Sequence, residues 1–188
     1  MVKGLDTFRK YFEGYENQYV LIGGAACDIV FESKDTSFRA TRDLDMVLIV
    51  EALTSEFVER FWKFIQDGRY RNKATNGEKP QFYRFDKPEN ELFPKMMELF
   101  CRSDFELREM TGVTPIYIDD TVSSLSAILL NDDYYNVLIK GKAVANGLSV
   151  LRPEYLILFK AKAYLDLKQR KQNGETVDSN DIKKHKKD

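Results

Sequence analysis

The chain has 188 residues, a length for one domain or one domain with a small appendage, and 43% of them are hydrophobic, enough to fold without staples. Lys and Arg number 29 against 30 Asp and Glu, a net charge of −1, so no bulk polycation is available to grip nucleic acid. One histidine and two cysteines exclude multi-His zinc sites and four-Cys metal sites, and no apolar run is long enough for a membrane span.

The first residues, MVKGLDTFRKYF, lack the apolar centre of a secretory signal. Leu5, Phe8, Phe12 and Tyr15 recur three and four apart, which predicts an amphipathic helix over 4–17. Tyr19 to Ile22 form a short β-branched and aromatic run closed by Gly23-Gly24, a strand entering a tight turn, and a helix runs from Ala25 to Phe31. The run DLDMVLIV (43–50) is apolar on both faces beyond its first residues and predicts a central strand. Thr54 or Ser55 caps the next helix, with Phe57, Phe61, Phe64 and Ile65 on its inner face and Gly68 near its end. Residues 71–80 are polar and contain Gly77 and Pro80, the composition of a surface loop. Gln81 to Phe85 and Met96 to Arg102 form two strands joined by a charged hairpin loop. Ile116 to Ile118 and Leu125 to Leu130 are weaker strand candidates. Asn131 to Asp133 cap a helix running to Lys140, and Gly141 and Gly147 punctuate the stretch before Pro153. Pro153 opens a long helix reaching about Lys171. Beyond Lys160 the chain carries more Lys and Arg than acids, which is either a solvated face or a surface for phosphates. Cys27 and Cys101 sit in apolar runs and read as buried thiols of a reducing cytoplasm; His185 in KKHKK reads as solvated.

Chemistry concentrates at Asp43-Leu44-Asp45. Side chains alternate along a strand, so the two carboxylates share a face, with Cα atoms roughly 6.5–7 Å apart. Such a pair can converge on a hard cation or bridge two, and magnesium suits oxygen-rich sites; two solvated acids at a strand end is the plainer alternative. Gly23-Gly24 can offer backbone N–H groups to a phosphate, or serve only as a tight turn. Glu98, between Met96, Met97, Leu99 and Phe100, is a costly carboxylate unless paired, protonated, on a metal, or facing solvent from an edge strand. Lys160 falls on one helix face with Leu156, Ala163, Tyr164 and Leu167, where it either snorkels, pairs with an acid or aims at a phosphate; Lys162, Asp166 and Gln169 mark the wet face.

At GGAACDIVFE…FRATRDLDMVLIV the sequence resembles the nucleotidyltransferase superfamily with the DNA polymerase beta-like fold, and most closely its AbiEii-type branch of phage-defence and toxin–antitoxin proteins. The resemblance is carried by Gly23-Gly24, by RATRDLD (Arg39 to Asp45) and by the helix LILFKAKAYLDLKQR, and it spans the chain from residue 19 onward. It implies a mixed α/β sheet with flanking helices; the chain is expected to divide into a core with its N-terminal helix over 1–150 and a basic helical segment over 151–188 packed on that core. It also implies a nucleoside triphosphate as donor and two magnesium ions held by Asp43, Asp45 and, as third acid, Glu98, with Gly23 and Gly24 against the triphosphate. Gly24 stands where the family often has serine, which removes one hydroxyl contact to phosphate.

The expected function is therefore transfer of a nucleoside monophosphate from NTP to a hydroxyl of RNA, protein or a small molecule. Lys160 is the expected cation for the triphosphate, and an antitoxin protein is an expected partner. The alternative is a non-catalytic module that keeps the fold and binds nucleotide or a partner.

Overall fold

The computed structural model describes residues 2–32, 43–72, 84–100 and 132–177. Within them the chain forms α1 (Leu5–Tyr11), β1 (Tyr19–Ile22), α2 (Gly23–Glu32), β2 (Asp43–Leu48) and α3 (Ser55–Gly68), with a 3-10 turn at Val50–Ala52. Then come β3 (Arg71–Asn72), β4 (Arg84–Asp86), β5 (Met96–Phe100), α4 (Asp132–Gly141), β6 (Lys142–Ala145), β7 (Leu148–Leu151) and α5 (Pro153–Gln172). The architecture is mixed α/β, with one seven-stranded sheet in the order β3-β4-β5-β2-β1-β7-β6. No described helix is long and apolar enough to cross a membrane.

β2 is the fourth strand of the seven, as its apolar run predicts. It runs antiparallel to β1 and parallel to β5, while β1 runs parallel to β7. All four residues of β1 are buried, so both faces of the sheet centre are covered. On one face α1 and α3 bring an aromatic layer against the sheet: Phe8 meets Tyr19 edge-on at 5.5 Å, and Phe61 meets Phe85 at 5.6 Å. On the other, α2 lies against β1, β2 and β7, with α5 behind it and α4 against α5. Leu156 and Phe159 of α5 join the same core as the sheet residues, and Cys27 is buried in it.

Local chemistry explains the element ends. Thr54 Oγ1 accepts the Phe57 N–H at 3.3 Å and caps α3. Gly68 ends that helix, and Arg69 adopts a left-handed conformation as its N–H returns to the last carbonyls. Pro153 stands in the first turn of α5, with Arg170 and Lys171 in the last turn, where they complement the helix dipole.

Several boundaries differ from the sequence expectation. α1 ends at Tyr11 and not near 17, because Gly14 turns left-handed and two successive turns carry the chain into β1. α2 starts at Gly23, so the glycines form its first turn instead of a separate one. Arg71 and Asn72, at the start of the expected loop, pair with Asp86 and Phe85 as an edge strand. The β6–β7 hairpin lies where the sequence pattern predicts no strands; Asn146 and Gly147, at φ 50 and 72, make its two-residue turn. The strand candidates at 116–118 and 125–130, together with Cys101 and His185, lie outside the described residues.

Candidate active site

Two rungs of the sheet define the site. Strand pairing sets Asp45 opposite Ile22 on one side and Glu98 on the other, and Glu98 opposite Arg84. The next rung runs Asp43, Met96, Asp86 and, at the sheet edge, Arg71. Residues opposite one another in a sheet share a face, with neighbouring strands about 4.8 Å apart. Asp43, Asp45 and Glu98 therefore lie on one face of two adjacent central strands, accompanied there by Arg84 and Asp86. Asp43, Asp45 and Glu98 are each half-buried.

Gly23 adjoins this face directly. A Cβ built on it would stand 2.3 Å from Asp45 Oδ2, and its φ is +66°. Both conditions favour glycine, so the backbone at the start of α2 packs on the Asp45 carboxylate with no room left for a side chain. The glycine turn and the DxD pair, joined in sequence only by their order, are in contact here. Gly24 comes next in the same first turn, half-buried, and that turn carries no acidic side chain.

Glu98 does not face bulk water. Its side chain is 18% exposed, and Oε1 accepts from Arg84 Nε at 2.7 Å. Among the described residues no three Asp, Glu, His or Cys side chains are grouped as a metal site. The donor set fits magnesium in kind and shares one face, but Glu98 is turned toward Arg84.

Lys160 is half-buried on α5, the helix that packs against α2. The expected wet face of α5 is not its most exposed one. Lys162 and Asp166 are half-buried and bonded to each other at 2.5 Å, whereas Ile157, Leu158 and Leu165 are more than half exposed. Lys162 thus does not stand on a wet face, whereas Lys168 is exposed.

Arg84 and Asp86 are not among the expected site residues. The alternation Arg84-Phe85-Asp86, with Phe85 buried, is the local signal that both polar side chains share the face opposite Phe85.

Gly23→Ala combines strain with a clash. A left-handed conformation costs a non-glycine residue about 1–2 kcal/mol, and the Asp45 carboxylate must also move. Gly14→Ala is the matched control, since Gly14 has φ +85° with nothing near its Cβ position. Both variants should lose a few degrees of thermal stability by differential scanning fluorimetry, and Gly23→Ala, which must also displace the Asp45 carboxylate, should lose more. An equal loss in the two variants would separate Gly23 from the Asp45 carboxylate.

No family model matches the chain, and neither a curated protein nor a solved structure is found similar to it.

Proposed function

We propose that the chain is a magnesium-dependent nucleotidyltransferase of the DNA polymerase beta-like type, moving a nucleoside monophosphate from NTP to a hydroxyl acceptor. The observation that carries this reading is the contact of Gly23 with the Asp45 carboxylate, on the face shared with Asp43 and Glu98. A phosphate-receiving helix start beside a carboxylate pair is what a metal–triphosphate complex requires.

In this reading the acceptor oxygen attacks the α-phosphorus in line. The new bond is acceptor O–Pα, the broken bond is Pα–O to the β-phosphate, and pyrophosphate leaves. Asp43 and Asp45 would hold magnesium, which when bound neutralises phosphate charge and lowers the pKa of an oxygen attached to it. The first N–H groups of α2, at Gly23 and Gly24, would receive phosphate oxygens, because a helix start leaves its donors unsatisfied. Lys160 would supply a cation to the β- or γ-phosphate. Glu98 would accept the proton of the attacking hydroxyl. Holding the reactants in line supplies most of the acceleration.

Calorimetry with ATP, GTP, CTP and UTP in magnesium tests the binding half. The parent should bind at least one of them, and Asp43→Ala/Asp45→Ala should not. Equal binding by the double variant would make the site assignment wrong.

A further inference from the structure

We infer that Arg84 is a triphosphate-binding residue of this site, held on Glu98 until a nucleotide draws it away. The inference rests on the nucleotidyltransferase reading and deepens it.

The geometry begins with the rung Arg84–Glu98–Asp45, whose side chains share one face of three adjacent strands. Arg84 meets Glu98 through Nε, at 2.7 Å from Oε1. A guanidinium carries five N–H donors in a planar fork, so four remain on its terminal nitrogens. Those nitrogens form no other bond among the described residues, and the side chain is 47% exposed against 18% for Glu98. The pair is therefore asymmetric: the carboxylate is enclosed, and the open end of the fork faces outward.

Charge makes the asymmetry meaningful. Asp43, Asp45, Asp86 and Glu98 put four carboxylates on two neighbouring rungs; Arg84 is the cation on the rung of Asp45 and Glu98, and Arg71 stands at the sheet edge beyond Asp86. A triphosphate arriving there meets like charge unless a cation accompanies it. Arginine suits this task because its fork binds phosphate oxygens in pairs, which lysine cannot do. Glu98 and the triphosphate then compete for one guanidinium, and the more highly charged anion has the advantage. Moving Arg84 to phosphate leaves the Glu98 carboxylate without its partner at the moment a nucleotide is present. Substrate arrival is thereby coupled to the availability of the third acid, and the coupling is reciprocal.

The test uses the full chain and two probes. Arg84→Met should weaken NTP binding roughly ten- to hundredfold by calorimetry and leave NMP binding nearly unchanged. Arg84→Lys should recover part of the loss. Without nucleotide, Arg84→Met should bind Mn2+ several-fold more tightly than the parent, because Glu98 is released. Circular dichroism checks that each variant folds, and Arg84→Gln serves if the methionine variant does not. Equal weakening for NTP and NMP would overturn the inference. So would tighter Mn2+ binding with unchanged NTP affinity, which would make Arg84 a clamp on Glu98 alone. If the parent binds NTP through Asp43 and Asp45 yet Arg84→Met has no effect, this inference fails and the function stands. A parent that binds no nucleotide overturns both.

Discussion

Asp45→Asn should lower nucleotidyl transfer by about a hundredfold or more, because a metal's stabilisation of a phosphoryl transition state is worth several kcal/mol. Asp45 is the residue at which the site's parts meet: Gly23 packs on its carboxylate, Asp43 shares its strand face and Glu98 stands opposite. The substitution keeps size and shape and removes charge, so the close approach of Gly23 survives and the loss is chemical. Thermal stability should change little for the same reason. Asp86→Asn is the comparison, since Asp86 lies beyond Met96 from Asp43 and away from the Gly23 contact. Its effect on transfer should be far smaller. Initial rates at saturating acceptor check both, and an Asp45→Asn variant within a few-fold of the parent would remove Asp45 from the proposed metal site.

Phe64→Ala should be the most damaging single truncation of the aromatic layer. The ring of Phe64 sits 4.8 Å from Phe93, 5.1 Å from Tyr11, 5.5 Å from Phe12 and 5.8 Å from Phe8, and the residue is fully buried. Its removal leaves a cavity bounded by rings on α1, at the end of that helix and on the loop before β5, which cannot all collapse inward together. The expected cost is about 3–5 kcal/mol. At roughly 2–4 °C per kcal/mol for a chain of this size, the melting temperature should fall by roughly 6–20 °C. Leu92→Ala, at a residue 71% exposed, should change it by almost nothing. Urea unfolding gives both values, and a loss below about 1 kcal/mol for Phe64→Ala would mean the layer is not packed as described.

Elements with strong local signals are legible in the sequence. β1 and β2 announce themselves by short apolar runs, α3 by a threonine cap and an inner face of three phenylalanines and an isoleucine, and α5 by Pro153. The turn at Asn146-Gly147 is equally local, and it is the pair whose backbone favours a tight hairpin; the strands beside it are short, and one of them contains Lys142 and little aromatic character. The start of α2 is hidden because two glycines disfavour helix, yet the approach to Asp45 demands one of them there.

The site is legible in its residues more than in its arrangement. Asp43 and Asp45 share a face by strand alternation alone. That Glu98 pairs opposite Asp45 depends on register between strands far apart in the chain, and Arg84 opposite Glu98 on register across a long hairpin loop; no local pattern encodes either. α5 misleads for a different reason. Its apolar residues point both inward and outward, with Ile157, Leu158 and Leu165 exposed while Lys162 pairs with Asp166, so a stripe read from spacing does not identify the wet side.

The central claim is group transfer, and the label's position on the nucleotide tests it directly. The parent is incubated with magnesium and total cellular RNA or protein, with each of the four NTPs labelled at the α-phosphate or, separately, at the γ-phosphate. The account predicts that the α-label of at least one NTP enters acceptor, that the γ-label appears only in pyrophosphate, and that Asp43→Ala/Asp45→Ala abolishes both. Incorporation of the γ-label, or α-label incorporation that persists in the double variant, would contradict it.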